Sequence, residues 1–326
     1  MAMISLLVCS RILGNKNWGL FKLLESLKQM SANYANFEVL IKFDSDDRKV
    51  RKVLPKLDTY PFKVKYIIEP RGRGYIDLHV FYNRLYSLVD EKCTVVGAMG
   101  DDFEILIEGW DEQVIDMANT FPDQIFIIHD YEKEYQEQGM FEDFDLNTLE
   151  GSLFFAEAPL WSRKLLEICG GLGHVSFTDA WTVCLEYYLY RRCGLNRTLF
   201  FKERLVTRRA KQLVDGPCAL RWWTDRANNF AFMRSDFYKT FVEQQAVNIY
   251  CYVKMAEKSA LPAPLVLKES DYRPAELPSI PFGIRVLNSF PFFMRPRLRA
   301  LYCKLASIPY LRKLKQNLER RFFHHR

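Results

Sequence analysis

The chain's 326 residues, 49% apolar and 26% charged, sit at the average for a globular protein and suffice for one large or two medium domains; this excludes collagen-like, disordered and disulfide-scaffold classes. The net charge of +6 is unevenly spread: residues 285–326 carry 11 Lys and Arg against Glu319 alone, so the 284 residues before them sum to −4. A mildly acidic body argues against a fold whose main face grips nucleic acid, and the basic end is expected to meet an anionic surface such as a membrane.

From the N-terminus, Ile4 to Cys9 is a short apolar run without a basic leader, expected to be a strand and not a secretion signal. Leu20, Phe21, Leu23, Leu24, Leu27 and Met30 recur at helical spacing, and Phe37 to Phe43 is again strand-like. Asp46 to Leu57 reads as a short charged helix, Lys63 to Ile68 as a β-branched strand, and Ile76 to Val89 as a helix. Cys93 to Met99 and Ile125 to Ile128 supply two more buried strands. Tyr131 to Glu150 is an acidic loop. Beyond it the pattern predicts a strand at LFFA, a helix from Pro159 to Ile168, a GGLG turn and a helix from Thr178 to about Arg192.

Strands alternating with helices predict an α/β fold, a mostly parallel sheet covered on both faces. Four segments are expected: a nucleotide-binding and catalytic domain over 1–215, a helical C-terminal extension over 216–261, a proline-containing linker over 262–284 and a basic amphipathic tail over 285–326. No apolar stretch approaches the roughly 18 residues of a membrane span. Eight cysteines without any C-x-x-C pair fit reduced thiols, and the expected location is the cytoplasm, peripheral to a membrane through the tail.

Ligand crevices of such sheets lie beyond the carboxyl ends of the strands. There this sequence places Ser10 and Arg11, then Asp44, Asp46 and Asp47, then Arg71, Gly72, Arg73 and Gly74, and finally Asp101, Asp102 and Glu104. Asp101 and Asp102 are the sharpest feature. Adjacent carboxylates after a buried strand repel one another unless a cation or hydrogen-bond donors neutralise them, so they suit Mg²⁺ or Mn²⁺, which in turn holds a diphosphate; a solvated turn is the alternative. Arg71 and Arg73 between glycines suit diphosphate oxygens, or equally a solvent-facing turn. His129 and His174 are each either a metal ligand, an acceptor contact or a structural hydrogen-bonder. Trp110, Trp181, Trp222 and Trp223 are expected mainly in cores, although one could stack on a sugar face.

The segment VVGAMGDDFEILIEGWD resembles the metal-binding segment of family-2-type glycosyltransferases of the GT-A fold, bacterial and non-processive, and other pieces come in the family's order. ISLLVCSR, ending in Ser10 and Arg11, is similar to the family's first strand on the nucleotide side; FEVLIKFDSDD resembles its second, where the match makes Asp44 the base-reading residue. RGRG followed by a helix carrying Asn83 resembles the segment lining nucleotide and diphosphate. The resemblance implies that Asp101 and Asp102 hold Mn²⁺ or Mg²⁺, and that Asp179 in HVSFTDAW is the general base. The usual Asp-x-Asp has lost its first Asp here, which leaves Asp101 as the better ligand. The Gln-x-x-Arg-Trp signature of processive members is absent. The implied activity is metal-dependent transfer of one sugar, with inversion, from a UDP- or GDP-sugar to a glycan or lipid-linked acceptor in cell-surface polysaccharide synthesis. Two alternatives stand beside it: a nucleotidyltransferase on a similar sheet, and a non-catalytic membrane-surface scaffold.

Overall fold

The computed structural model describes residues 3–12, 19–72, 77–131, 158–173, 178–208, 233 and 236–256. The chain divides into two compact units, Met1–Ala210 with Asn229–Glu276 and Lys211–Asn228 with Leu277–Arg326, and every described residue belongs to the first. The expected linker and basic tail lie outside the described residues.

The described strands form a seven-stranded sheet in the order β3-β2-β1-β4-β7-β6-β8, where β1 is Ile4–Ser10, β2 Phe37–Asp44, β3 Lys63–Glu69, β4 Val95–Gly100, β6 Ile127–His129, β7 Leu160–Ser162 and β8 Thr198–Phe200. Strand β1 runs parallel to β2 and β4, β2 to β3, and β6 to β8; β7 alone is antiparallel, wedged between β4 and β6. A second, two-stranded sheet joins β5 (Phe103–Ile105) to β9 (Val206–Arg208). The fold is the expected α/β class, a mostly parallel sheet flanked by helices.

Continuous apolar sequence explains why the central strands are buried on both faces, and helices supply the cover. On one face Ile4, Leu6, Val8, Val39 and Ile41 pack against α1 (Gly19–Met30), α2 (Val50–Leu57) and α4 (Trp110–Ala118). On the other, Leu7, Leu40 and Val96 pack with α3 (Leu78–Tyr86), α5 (Arg163–Cys169), α6 (Thr178–Arg191) and α7 (Asp236–Ala256). The outer strand β3 has only exposed and half-buried positions, with Lys63 and Lys65 along it, the composition that discourages pairing with another chain.

The predicted helix from Pro159 is corrected. Residues Leu160–Ser162 are a strand, and the helix starts only at Arg163, because Leu160 and Trp161 complete the pairing between β4 and β6. The Ser162 side chain accepts from the Leu165 N–H and caps the next helix, α5. The predicted strand at LFFA lies outside the described residues. Trp161 and Trp181 are wholly buried; their indole N–H groups donate to Thr182 Oγ1 and Gln245 Oε1, both at 3.0 Å. Gln245 donates onward to the Cys169 carbonyl, so one polar side chain of α7 joins α6 to the end of α5 inside an apolar layer. Trp110 is also fully buried, whereas Trp222 and Trp223 fall outside the described residues. Neither Trp110 nor Trp181 is free to stack on a sugar.

Candidate nucleotide and metal site

The strand register brings the predicted residues to one edge of the sheet. Ser10 is level with Phe43, Cys9 with Gly100, and Asp44 with Glu69, so β1, β2, β3 and β4 end together. The chain leaves β1 at Arg11, β2 at Ser45 and β4 at Asp101, and two clusters of side chains form there, Ser10 with Asp101 and Arg11 with Asp44 and Asp46.

The Ser10 hydroxyl donates to Asp101 Oδ2 at 2.7 Å. Desolvation pushes the Asp101 carboxyl up to about 6; the Ser10 hydroxyl and the Arg11 backbone N–H pull against it, and neighbouring Asp102 adds to the rise. Asp101 and Asp102 occupy the tight turn between β4 and β5. A Cβ at Gly100 would lie 2.6 Å from Asp102 Oδ1, so a side chain there would displace that carboxylate. Strand β5 is fixed from two sides: the Ile105 N–H donates to Ser26 Oγ of α1, and β9 pairs along its length. Buried Asp130 in turn accepts from the Leu205 and Val206 N–H groups at the start of β9. The carboxylate turn is therefore held between two anchored strands.

The second cluster surrounds Asp44. Arg11 Nη1 donates to Asp44 Oδ2 at 2.7 Å and to Asp46 Oδ1 at 2.6 Å, while Nη2 reaches Asp46 Oδ2 at 3.1 Å. That hydrogen bond holds the exposed Asp46 carboxyl below its ordinary value. The other oxygen of Asp44 accepts from Lys42 Nζ at 2.5 Å. Asp47 is buried and structural: Oδ2 accepts from the Ile12 N–H and Oδ1 from the Lys49 N–H, which fixes the turn into α2. Arg71 is exposed at the end of the strand that carries Glu69; Arg73 lies outside the described residues.

Asn83 on α3 has its amide bonded within the fold. Its Nδ2 donates to the Leu172 carbonyl at 2.8 Å and to the His79 carbonyl at 2.9 Å, and its Oδ1 accepts from the Leu172 N–H at 2.9 Å. The amide clamps the GGLG turn to α3. Gly171 adopts φ +125°, and a Cβ there would stand 2.3 Å from Asn83 Oδ1, so glycine is required on both counts.

His129 is a sealed core residue: its Nε2 lies 2.7 Å from Glu186 Oε1, which also accepts from Thr198 Oγ1 at 2.6 Å, and the pair is 0% and 2% exposed. It is not presented to a ligand. His174 lies outside the described residues. Thr178 and Asp179 open α6, as expected from the sequence.

Two carboxylates are enough for the expected cation. Mg²⁺ and Mn²⁺ bind oxygen ligands, and Mg²⁺ characteristically takes one or two carboxylates and fills its remaining positions with water and substrate phosphate. Among the described residues no group of three or more His, Cys, Asp or Glu is placed to hold a metal ion. Burial, and to a smaller extent the charge of Asp102, disfavours the ionised Asp101 carboxylate, a cost that a divalent ion would offset, so the residues fit the group.

Sequence reading missed Lys42 at this edge and Asp111 outside it. Lys42 was hidden because a lysine inside a strand reads as solvent-facing; it is 2% exposed. Asp111, within Gly-Trp-Asp, is 0% exposed and accepts from the Ala32 and Asn33 N–H groups and from Asn36 Nδ2, while the Trp110 indole donates to Ser31 Oγ. That motif joins the end of α1 to the start of α4 and touches no site residue. Only an Asp directly after a buried Trp hinted at it.

No protein-family model and no curated protein sequence matches the chain. Solved structures do. The mannosyltransferase PcManGT from Pyrobaculum calidifontis, in complex with GDP-Man and Mn²⁺, matches at TM-score 0.50 and 12% identity over 96% of this chain and 83% of that one. TarS from S. aureus, residues 1–349, matches at 0.47 and 14% over 93% and 88%. Glucosyl-3-phosphoglycerate synthase from M. tuberculosis matches at 0.45 and 10% over 72% and 80%. With the strand order above, the likeness to the mannosyltransferase shows the GT-A fold.

Proposed function

We propose that the protein is a metal-dependent glycosyltransferase that moves one sugar from a nucleoside-diphosphate sugar to an acceptor hydroxyl with inversion. The observation that carries this reading is the meeting of Ser10–Asp101 and Arg11–Asp44 at the carboxyl ends of β1, β2 and β4. The mannosyltransferase of like fold binds GDP-Man and Mn²⁺, which supports a sugar nucleotide and a divalent ion as ligands.

In this reading Asp44 accepts from the base, Arg71 and Arg73 contact the diphosphate, and Asp101 with Asp102 hold Mn²⁺ or Mg²⁺. When bound, the ion neutralises negative charge on the departing diphosphate. Asp179 at the first turn of α6 is the base: it takes the proton of the acceptor hydroxyl as that oxygen bonds to the anomeric carbon and the bond from that carbon to the diphosphate oxygen breaks. Ser10 keeps the Asp101 carboxylate in one orientation, and Asn83 holds the turn that leads towards α6. A cytoplasmic enzyme with a membrane-facing basic tail, acting on lipid-linked or other surface glycans, completes the proposal. No helix among the described residues is long and apolar enough to cross a membrane.

Thermal unfolding against UDP, GDP, CDP and dTDP, each with and without Mn²⁺, tests it. The expected result is a rise in Tm for one nucleotide that needs the metal and is lost in Asp101→Asn. A rise unaffected by that substitution refutes the metal assignment, and no rise with any nucleotide returns the protein to the scaffold reading.

A further inference from the structure

Lys42 is a lysine buried in the middle of a parallel sheet, 2% exposed on its side chain. On the same face of β2 stands Leu40, so an aliphatic residue would serve the core there; burying an ammonium is costly unless its partners are specific. Those partners are all pieces of the sheet edge. Lys42 Nζ donates to Asp44 Oδ1 at 2.5 Å and to the Pro70 carbonyl, one residue before Arg71, at 3.5 Å; it also stands 3.7 Å from the ring centre of Phe81 on α3. The Phe81 ring in turn packs on Gly72, where a Cβ would stand 2.6 Å from it. One ammonium thus joins the end of β2, the turn after β3 and α3.

We propose that Lys42 is a specificity-determining positioning residue: together with Arg11 it fixes Asp44 as a pure hydrogen-bond acceptor towards the nucleobase, selecting bases with a ring N–H over those with a bare ring nitrogen. Lys42 holds one oxygen and Arg11 Nη1 the other, at 2.7 Å, so both oxygens of the carboxylate have a cationic donor. Each oxygen accepts two hydrogen bonds, which leaves acceptor capacity and no donor on that group. Uracil, thymine and guanine offer a ring N–H to such a group. Cytosine N3 and adenine N1 offer a lone pair and are repelled. The inference rests on the nucleotide-binding reading above.

The test is calorimetric titration of the full-length protein with UDP, dTDP, GDP, CDP and ADP, and with pyrophosphate, all in Mn²⁺. The wild type is expected to bind at least one of UDP, dTDP and GDP about tenfold or more tighter than CDP and ADP. Lys42→Met is expected to bring that preference to within about threefold while pyrophosphate binding holds, because the base and not the diphosphate loses its partner. Lys42→Met that keeps the wild-type ratio overturns the inference alone. So does an equal loss for pyrophosphate, the mark of a merely structural role. A wild type that binds no nucleotide overturns the functional reading and the inference with it. Should Lys42→Met not fold, Phe81→Leu loosens the ammonium without removing it; its preference is expected to fall in the same direction, and an unchanged ratio overturns the inference.

Discussion

The Ser10 hydroxyl and the Asp101 carboxylate, 91 residues apart in sequence, are joined at 2.7 Å where β1 and β4 leave the sheet. Ser10 offers Asp101 a neutral donor, so it orients the carboxylate without cancelling its charge. In the proposed function that charge is what Mn²⁺ or Mg²⁺ would meet. Ser10→Ala is expected to weaken Mn²⁺-dependent nucleotide binding by about 1–2 kcal/mol, roughly tenfold, while the Tm without ligand moves little. Equal Mn²⁺ affinity in wild type and variant would show that the hydroxyl does not order the carboxylate.

Gly171 and Asn83 are coupled by space. Ala at position 171 must adopt φ +125° and place its Cβ 2.3 Å from Asn83 Oδ1, which breaks the double hydrogen bond to Leu172. The expected loss in urea unfolding is about 2–4 kcal/mol from backbone strain and the broken clamp together. A loss under about 1 kcal/mol would mean that the GGLG turn is free to move away from α3.

Asp111 accepts three hydrogen bonds at a wholly buried position. Asp111→Ala strands two backbone N–H groups and the Asn36 amide, and is expected to cost about 2–4 kcal/mol in urea unfolding. Nucleotide affinity of the folded variant should match the wild type, because the residue braces α1 against α4 and touches neither site cluster. A selective loss of ligand binding with stability intact would place Asp111 in the site instead.

Glu38, at the opposite end of β2 from Asp44, sets an acid limit on stability. Its carboxyl lies below the ordinary value of 4.5: burial works to raise it, and hydrogen bonds from Lys65, Ser5 and the Asp90 N–H outweigh that. A carboxyl lowered on folding contributes stability that is present above the unfolded value and lost as pH falls through the folded one. Stability is therefore expected to fall as pH drops below about 4.5, and Glu38→Gln should flatten that part of the pH profile. Identical profiles for the two proteins would remove Glu38 from the acid response.

The α/β class and the positions of the first four strands along the chain were legible in the sequence, because parallel strands buried on both faces must be runs such as ISLLVC and VVGAM, and covering helices must repeat every three to four residues. Strand ends were legible too, since ligand-binding residues of such sheets come directly after strands; Ser10, Arg11, Asp44, Asp101 and Asp102 all lie at one edge as that rule predicts. Shorter elements were not. Leu160–Ser162, Phe103–Ile105 and Val206–Arg208 are three-residue strands, too brief for a period to show, and they exist because distant partners supply their hydrogen bonds.

By itself the sequence determined which residue types stand after which strands, because local apolar pattern fixes the strands and chain order fixes the residues at their ends. Which of those residues face one another, and which spend their polar atoms on the fold, only the tertiary structure decided. Asn83 and His129 carry the same chemistry as binding residues, yet Leu172 and Glu186 consume it. Lys42 has the charge of a surface residue, yet Asp44, Pro70 and Phe81 hold it inside. The reason is physical: a polar group's role depends on the partner within hydrogen-bond reach, and in each of these cases the deciding partner comes from a different segment of the chain or from packing that the local pattern does not encode.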